Sequence, residues 1–183
     1  NNNITSNNSG YDILFQSISN IDINAPVTTS GSSILTINAS GNVNDGSNNG
    51  FTGKVISNKL LFLGSGNFNL DSTTNDVSIL SGGTSGSRVG NLLFLNSGAL
   101  SIGFVNSYNG IFSSGTISIS TLSDDLSVSQ NINTQNTSTS ALILNAGQST
   151  SAGTSTGGNI NFSGGASITL GTNGRASLYS GSV

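Results

Sequence analysis

Residues 59–70 read KLLFLGSGNFNL and residues 91–102 read NLLFLNSGALSI. In each stretch apolar side chains alternate with others, and the run stops at Gly or Ser-Gly. That is the pattern of a short strand with one side in a core and a turn directly behind it. Leu60–Leu63, Ser65 and Gly66 recur as Leu92–Leu95, Ser97 and Gly98, an offset of 32 residues. A Ser-Gly-Asn-apolar block recurs at Ser40–Val43 and Ser65–Phe68, an offset of 25, and Ser97–Ile102 is echoed by Gly164–Leu170. Short strands of constant type separated by unequal loops describe a solenoid whose loops differ from rung to rung.

The same texture runs outward in both directions. Ile13–Phe15, Ile21–Asn24, Ile34–Ile37, Val77–Ile79, Thr116–Ser120, Leu126–Ser129, Leu142–Leu144, Ile160–Phe162 and Ile168–Leu170 all alternate over three to five residues. Nothing sustains a 3.6-residue period, and Ala, Glu, Lys, Gln and Arg are scarce, so almost no helix is expected. Asn, Ser, Gly and Thr make up 106 of the 183 residues. Such a composition invites a reading of disorder. Yet Leu, Ile, Val and Phe together supply 50 residues, above the ~20% of the chain at which disorder becomes the default. The chain therefore buries a narrow core under a surface of hydroxyls and amides.

The expected fold is an all-β, right-handed parallel β-helix (a β-solenoid). Apolar inward positions form columns, and each strand stacks on its equivalent one coil away at about 4.8 Å. Outward Ser, Thr and Asn form polar ladders, and Gly and Asn serve the corners. Coils of about 20–25 residues give about seven to nine rungs and a rod of about 35–45 Å. Residues 1–19 are expected to form an amino-terminal strand or edge segment, and residues 20–183 the shaft.

Composition also excludes chemistry. The chain has no His and no Cys, and its charged residues are Lys54, Lys59, Arg88, Arg175 and seven aspartates. Thiol and disulfide chemistry, a zinc or iron–sulfur site and a histidine base are ruled out. Four scattered cations cannot neutralise a phosphate track, so no nucleic-acid partner is expected. No run reaches the ~18 apolar residues of a membrane helix. The start at Asn1, without Met or a signal segment, reads as a processed product or an interior excerpt.

Several phrases carry a family resemblance: Asn131–Asn133 with Ala141–Gly147, then Ala152–Ile160, and the closing Ala176–Val183. Gly90–Leu95 and Gly115–Ser120 read as shaft repeats. In these phrases, over most of residues 20–183, the chain resembles the filamentous-haemagglutinin-like exoproteins of bacterial two-partner secretion. The resemblance implies a long β-helical rod on the cell surface that serves adhesion, aggregation and biofilm formation. The Asn-Pro motifs of that family's amino-terminal secretion domain are missing, since Pro26 follows Ala25. The resemblance therefore implies shaft rather than secretion domain.

Asp124-Asp125 is the only adjacent carboxylate pair, but neighbours in a strand face opposite ways, so a charged turn between Leu122 and Leu126 is expected. Asp45, Asp71 and Asp76 show no spacing that selects an acid–base pair, and Asp45-Gly46 and Asp71-Ser72 read as turns. Gly82–Ser87 lacks the Gly-Lys-Ser/Thr ending of a phosphate loop. No catalytic residue, cofactor or metal ligand is assigned. Tyr11, Tyr108 and Tyr179 are the candidate glycan contacts, with cell-surface glycans as the ligand class.

The expected function is a non-catalytic structural fibre or adhesin shaft, extracellular and on the bacterial surface. The alternatives are a β-helical polysaccharide-binding or polysaccharide-processing protein, and a cross-β amyloid matrix protein. Tyr11, Ile13 and Phe15 at one end and Leu178 and Val183 at the other are expected to meet axially. There the rod either runs into the next segment of a longer polypeptide or joins a second copy head to tail.

Overall fold

The computed structural model describes residues 4–6, 11–46, 50–151, 153 and 157–181. Val183, an expected axial contact, lies outside the described residues. The described residues contain strands and turns and no helix. All pairings between rungs are parallel. The protein is a parallel β-solenoid.

Each turn crosses three faces. The first stacks Ile4–Thr5, Pro26–Thr28, Lys54–Leu63, Asp76–Gly82, Leu100–Ile102, Leu126–Val128 and Ile160–Phe162. The second carries Ile13–Ser17, Ile34–Ala39, Ile111–Ser113, Ile132–Thr134 and Ile168–Thr169. Lys54–Leu63 and Asp76–Gly82 run across both, so the two faces form one 12-stranded sheet. The alternation shows where this sheet bends. Val55 and Ser57 point inward, then Leu60 and Phe62 do, so the phase slips by one residue at Asn58-Lys59. Ser57, turned inward beside that corner, bonds the Lys59 carbonyl at 2.7 Å and the Thr29 hydroxyl at 2.8 Å. The third face is a separate seven-stranded sheet: Ile21–Asp22, Val43–Asn44, Phe68–Leu70, Leu92–Asn96, Ile117–Thr121, Leu142–Ala146 and Ala176–Ser180.

Inward side chains form continuous columns. One runs Ile21, Val43, Phe68, Leu92, Ile117, Leu142, Ala176 in direct register. Another runs Phe15, Ile37, Phe62, Gly82, Ile111, Ile132, Ile168. Gly82 stands beside Phe62 in its column, and a Cβ there would meet the Phe62 Cβ at 3.3 Å. Phe62 in turn packs against Phe68 at 4.6 Å and edge-on against Phe94 at 6.2 Å between ring centroids. These three rings are the largest fully buried side chains among the described residues.

The expected number of coils needs correction, and the two internal repeats differ in what they mean. About five turns are closed and fully packed, somewhat fewer than the seven to nine expected. The first and last of the seven strands on the third face belong to end rungs that are only partly covered, and the last rung takes a longer path than the others. The repeat at offset 32 is also not a coil repeat. Leu60–Leu63 lies on the second face, in register with Leu35 and Leu80, whereas Leu92–Leu95 lies on the third, in register with Phe68 and Ile117. The block at offset 25 is the true coil step, since Val43 pairs with Phe68.

One excursion leaves the coil. Phe104–Val105 and Tyr108–Asn109 form an antiparallel hairpin around Asn106-Ser107, with Asn106 at φ 55°. It packs against Lys54–Leu63 and Asp76–Gly82 and buries Val105. Phe62→Ala is expected to cost about 3–5 kcal/mol, read as a lower urea midpoint at unchanged strand signal in far-UV circular dichroism.

Candidate functional site

Polar chemistry in this molecule begins where each strand opens. An N–H at the entry to a strand, usually that of the residue just before it, lies at a corner outside the backbone ladder, whereas the strand's own first N–H donates to a carbonyl of the next rung, as from Val43 to Asn67 and from Leu92 to Thr116. A side chain in the equivalent position one rung earlier serves the entry N–H as acceptor. On the approach to the third face, Asn20 Oδ1 accepts the Asn42 N–H at 2.8 Å, Asn67 Oδ1 the Asn91 N–H at 2.8 Å, and Asn91 Oδ1 the Thr116 N–H at 2.9 Å. Asn67 Nδ2 donates to Asn42 Oδ1 at 3.1 Å, which closes the ladder through its middle. Successive members are 22, 25, 24 and 25 residues apart. Glycine precedes them because the amide takes up the room. A Cβ on Gly90 would sit 2.5 Å from Asn67 Oδ1, and one on Gly115 2.2 Å from Asn91 Oδ1.

The same device operates on the other faces, and two aspartates take part in it. Asp12 Oδ1 accepts the Ile34 N–H at 2.7 Å, and Asn131 Oδ1 accepts the Ser167 N–H at 2.9 Å. Asp125 Oδ1 accepts the Asn159 N–H at 2.8 Å, and its Oδ2 takes Asn161 Nδ2 at 3.1 Å. The Asp124-Asp125 pair is thus split as expected. Asp125 ties two rungs together, while Asp124 stays exposed beside the Ser123 hydroxyl at 3.3 Å.

An inner corner between the third and first faces is polar and buried. Asn75 Oδ1 accepts the Val55 N–H at 2.8 Å, and Asn96 Oδ1 the Val77 N–H at 2.8 Å. Asp45 Oδ2 accepts the Ser72 N–H at 2.7 Å and Asn75 Nδ2 at 3.2 Å. Asn96 Nδ2 donates to three carbonyls, those of Val77, Gly98 and Ala99. These groups hold the turn and point at one another, and among the described residues no three acidic side chains converge. No helix among the described residues is long and apolar enough to cross a membrane.

The three candidate tyrosines are not brought together. Tyr11 is exposed before the first complete strand, Tyr179 is exposed on the last rung opposite Asn145, and Tyr108 is half-buried in the hairpin. Of the cations, Arg88 is committed to the fold. Its guanidinium donates to Asn133 Oδ1 at 2.7 Å and to the Ser113 carbonyl at 3.1 Å, and it lies 5.8 Å from the Phe112 ring centre.

The end residues are placed where a neighbouring rung would meet them. Leu178 continues the column of Leu144 yet is 46% exposed, against 0% for Leu144. Phe162 continues the column of Val128 and is 43% exposed, and at the other end Ile4 is 47% exposed next to buried Val27. Ile13 and Phe15 are partly covered members of the first rung, and Phe15 lines a cavity of about 320 Å³ with Ile4, Ile21, Ile23 and Val27. Sequence reading named Ile13, Phe15 and Leu178 here but missed Ile4 and Phe162, which short alternating runs could have flagged.

In comparisons with protein-family models, with curated proteins and with solved structures, nothing matches this chain.

Asn67→Ala is expected to cost about 0.5–1.5 kcal/mol, because it removes the acceptor of the exposed Asn91 N–H and leaves that group to water. Asn69→Ala, by contrast, removes a buried carbonyl that has no partner and is expected to be neutral or stabilising. Paired urea titrations of the two variants test the assignment.

Proposed function

We propose that this chain is a length of non-catalytic shaft in an extracellular fibre or adhesin of the bacterial surface or biofilm matrix. The shaft is right-handed, as parallel crossovers nearly always are, and it stacks axially on a further solenoid segment or a second copy. The observation that carries the reading is the state of the two ends. Inward positions that are sealed along the middle of the rod open at both, with Ile4, Phe162 and Leu178 partly in water and a 320 Å³ apolar cavity in the first rung. Burying a Leu or Phe side chain is worth about 1.5–3 kcal/mol, so an in-register neighbour gains at each such column. Among the described residues the strands at both ends pair on one side only, and such an edge is a template for adding another parallel strand.

Because the ends differ, the contact is heterologous and the product is an open filament. The phrases that resemble filamentous-haemagglutinin-like exoproteins support the same reading and its surface location. The use of Asp12 and Asp125 as strand-opening acceptors supports it over a polysaccharide-processing enzyme, whose acid and base would have to be free. Stacking of many strands within one chain supports it over a cross-β matrix protein, in which each chain occupies one layer.

Light scattering and negative-stain electron microscopy of the 183-residue chain are expected to show rods that lengthen with concentration. The double variant Phe162→Asp, Leu178→Asp is expected to keep its strand signal and stay short. A monodisperse monomer at high concentration overturns axial self-association, and turnover of any polysaccharide overturns the non-catalytic reading.

A further inference from the structure

We propose that a cleft on the flank of the rod, beside Tyr108, binds the terminal ring of a neutral saccharide. This goes beyond the shaft reading and stands without it, because the cleft is made within one chain and lies away from both ends.

The cleft is built from two departures from the coil. The first is the hairpin that carries Tyr108. The second is the turn at residues 83–88, which swings out because Gly83 takes φ 64° with the Phe112 carbonyl 2.4 Å from where a Cβ would stand. That turn closes on itself: Thr84 N–H donates to the Ser87 carbonyl at 2.8 Å, and Ser87 N–H donates to Thr84 Oγ1 at 3.0 Å. Between hairpin and turn lies the outer surface of the second face, where Asn38 and Leu63 stand in register on adjacent rungs. Asn38, Leu63, Gly64, Thr84, Ser87 and Tyr108 enclose about 310 Å³.

The lining decides the ligand class. It contains one aromatic ring, one aliphatic side chain, one amide, three hydroxyls and no charged group. The Asn38 amide, the Ser87 hydroxyl and the Tyr108 hydroxyl make no hydrogen bond to the protein among the described residues, whereas the amides that open strands, such as Asn67 and Asn131, are spent on the next rung. A free amide and free hydroxyls offer both donors and acceptors. Beside an aromatic face they suit a ring that has an apolar C–H side and a rim of hydroxyls. The absence of Lys or Arg from the lining selects neutral sugars over acidic ones. The volume is at the lower limit of small-molecule sites, ~300 Å³, which fits a terminal ring rather than a chain. Both walls are pinned by backbone hydrogen bonds, so little ordering is required on binding.

Saturation-transfer NMR on the full chain tests this with methyl glycosides of glucose, galactose, mannose and N-acetylglucosamine, and with glucuronate as the charged comparator. Transfer from at least one neutral glycoside is expected, and Tyr108→Ala removes it. Tyr108→Phe and Asn38→Ala, which leave the hairpin and coil in place, each weaken it about three- to tenfold. Tyr179→Ala leaves it unchanged. The proposal is overturned if no neutral glycoside shows transfer, if glucuronate is preferred, or if Tyr108→Phe and Asn38→Ala both bind as the parent does while their circular dichroism is unaltered. Saccharide binding by a chain that stays monomeric upholds the cleft and rejects axial stacking. Rods that bind no neutral sugar do the reverse.

Discussion

Entry to a strand in this rod repeatedly leaves an N–H outside the backbone ladder, and a side chain from the rung before meets that need. A flat sheet satisfies its backbone by lateral pairing alone. A coil interrupts that pairing at corners, although Lys54–Leu63 and Asp76–Gly82 carry it round one of them, and the N–H at an interrupted corner takes a side-chain acceptor in place of a carbonyl. Asn20, Asn67, Asn91, Asn131, Asp12 and Asp125 each reach one rung forward to take that proton. The acceptor must be short and must stand directly before the strand. Asn and Asp meet both conditions, and Gln and Glu, one methylene longer, overshoot. The composition is thereby explained in part: amides where strands open, glycines where the amide needs space, and hydroxyls where a corner turns inward, as at Ser57.

The core obeys a simpler constraint. Register stacks each inward side chain on its equivalent, so a column is read along the axis rather than along the chain. Volumes have to be shared between neighbouring rungs, and Phe62 over Gly82 shows the exchange most plainly. Such columns have no natural end. Each closed turn is covered from both sides by its neighbours, and an end rung from one side only, which is why Leu144 is sealed and Leu178, the same position one rung on, is not.

Much of this was legible in the residues. Period-two runs ended by Gly identified strands, their shortness identified a solenoid, and the Ser-Gly-Asn-apolar block gave the true coil step. The LLFL identity does not mark equivalent positions, for a physical reason: alternation tells inside from outside but not one face from another, so the same four residues serve the second face at Leu60–Leu63 and the third at Leu92–Leu95. The coil count came out high because the long last step, from Leu142 to its partner Ala176, and the hairpin spend residues without adding a rung. Asn106-Ser107 between Val105 and Tyr108 does carry a hairpin signal, an Asn suited to positive φ between alternating residues, but it is a short one. The convergence of Asn38, Ser87 and Tyr108 could not be read, since they are brought together by three different rungs.

The division of labour between coil and excursion is itself a consequence of the ladder. Within a rung, inward positions answer to the core and strand-opening positions to the next N–H, so a change there is transmitted along the axis. Residues 84–87 and 106–109 escape both demands, because each excursion leaves the coil and is anchored by backbone hydrogen bonds at its base: Gly83 N–H to the Phe62 carbonyl at 3.0 Å, Gly110 N–H to the Gly103 carbonyl at 2.9 Å. Side chains on such excursions vary at little cost to the stack, which is the general reason that binding chemistry gathers on loops held by a rigid scaffold. In this rod the free amide, the free hydroxyls and the half-buried ring meet where two excursions flank the second face.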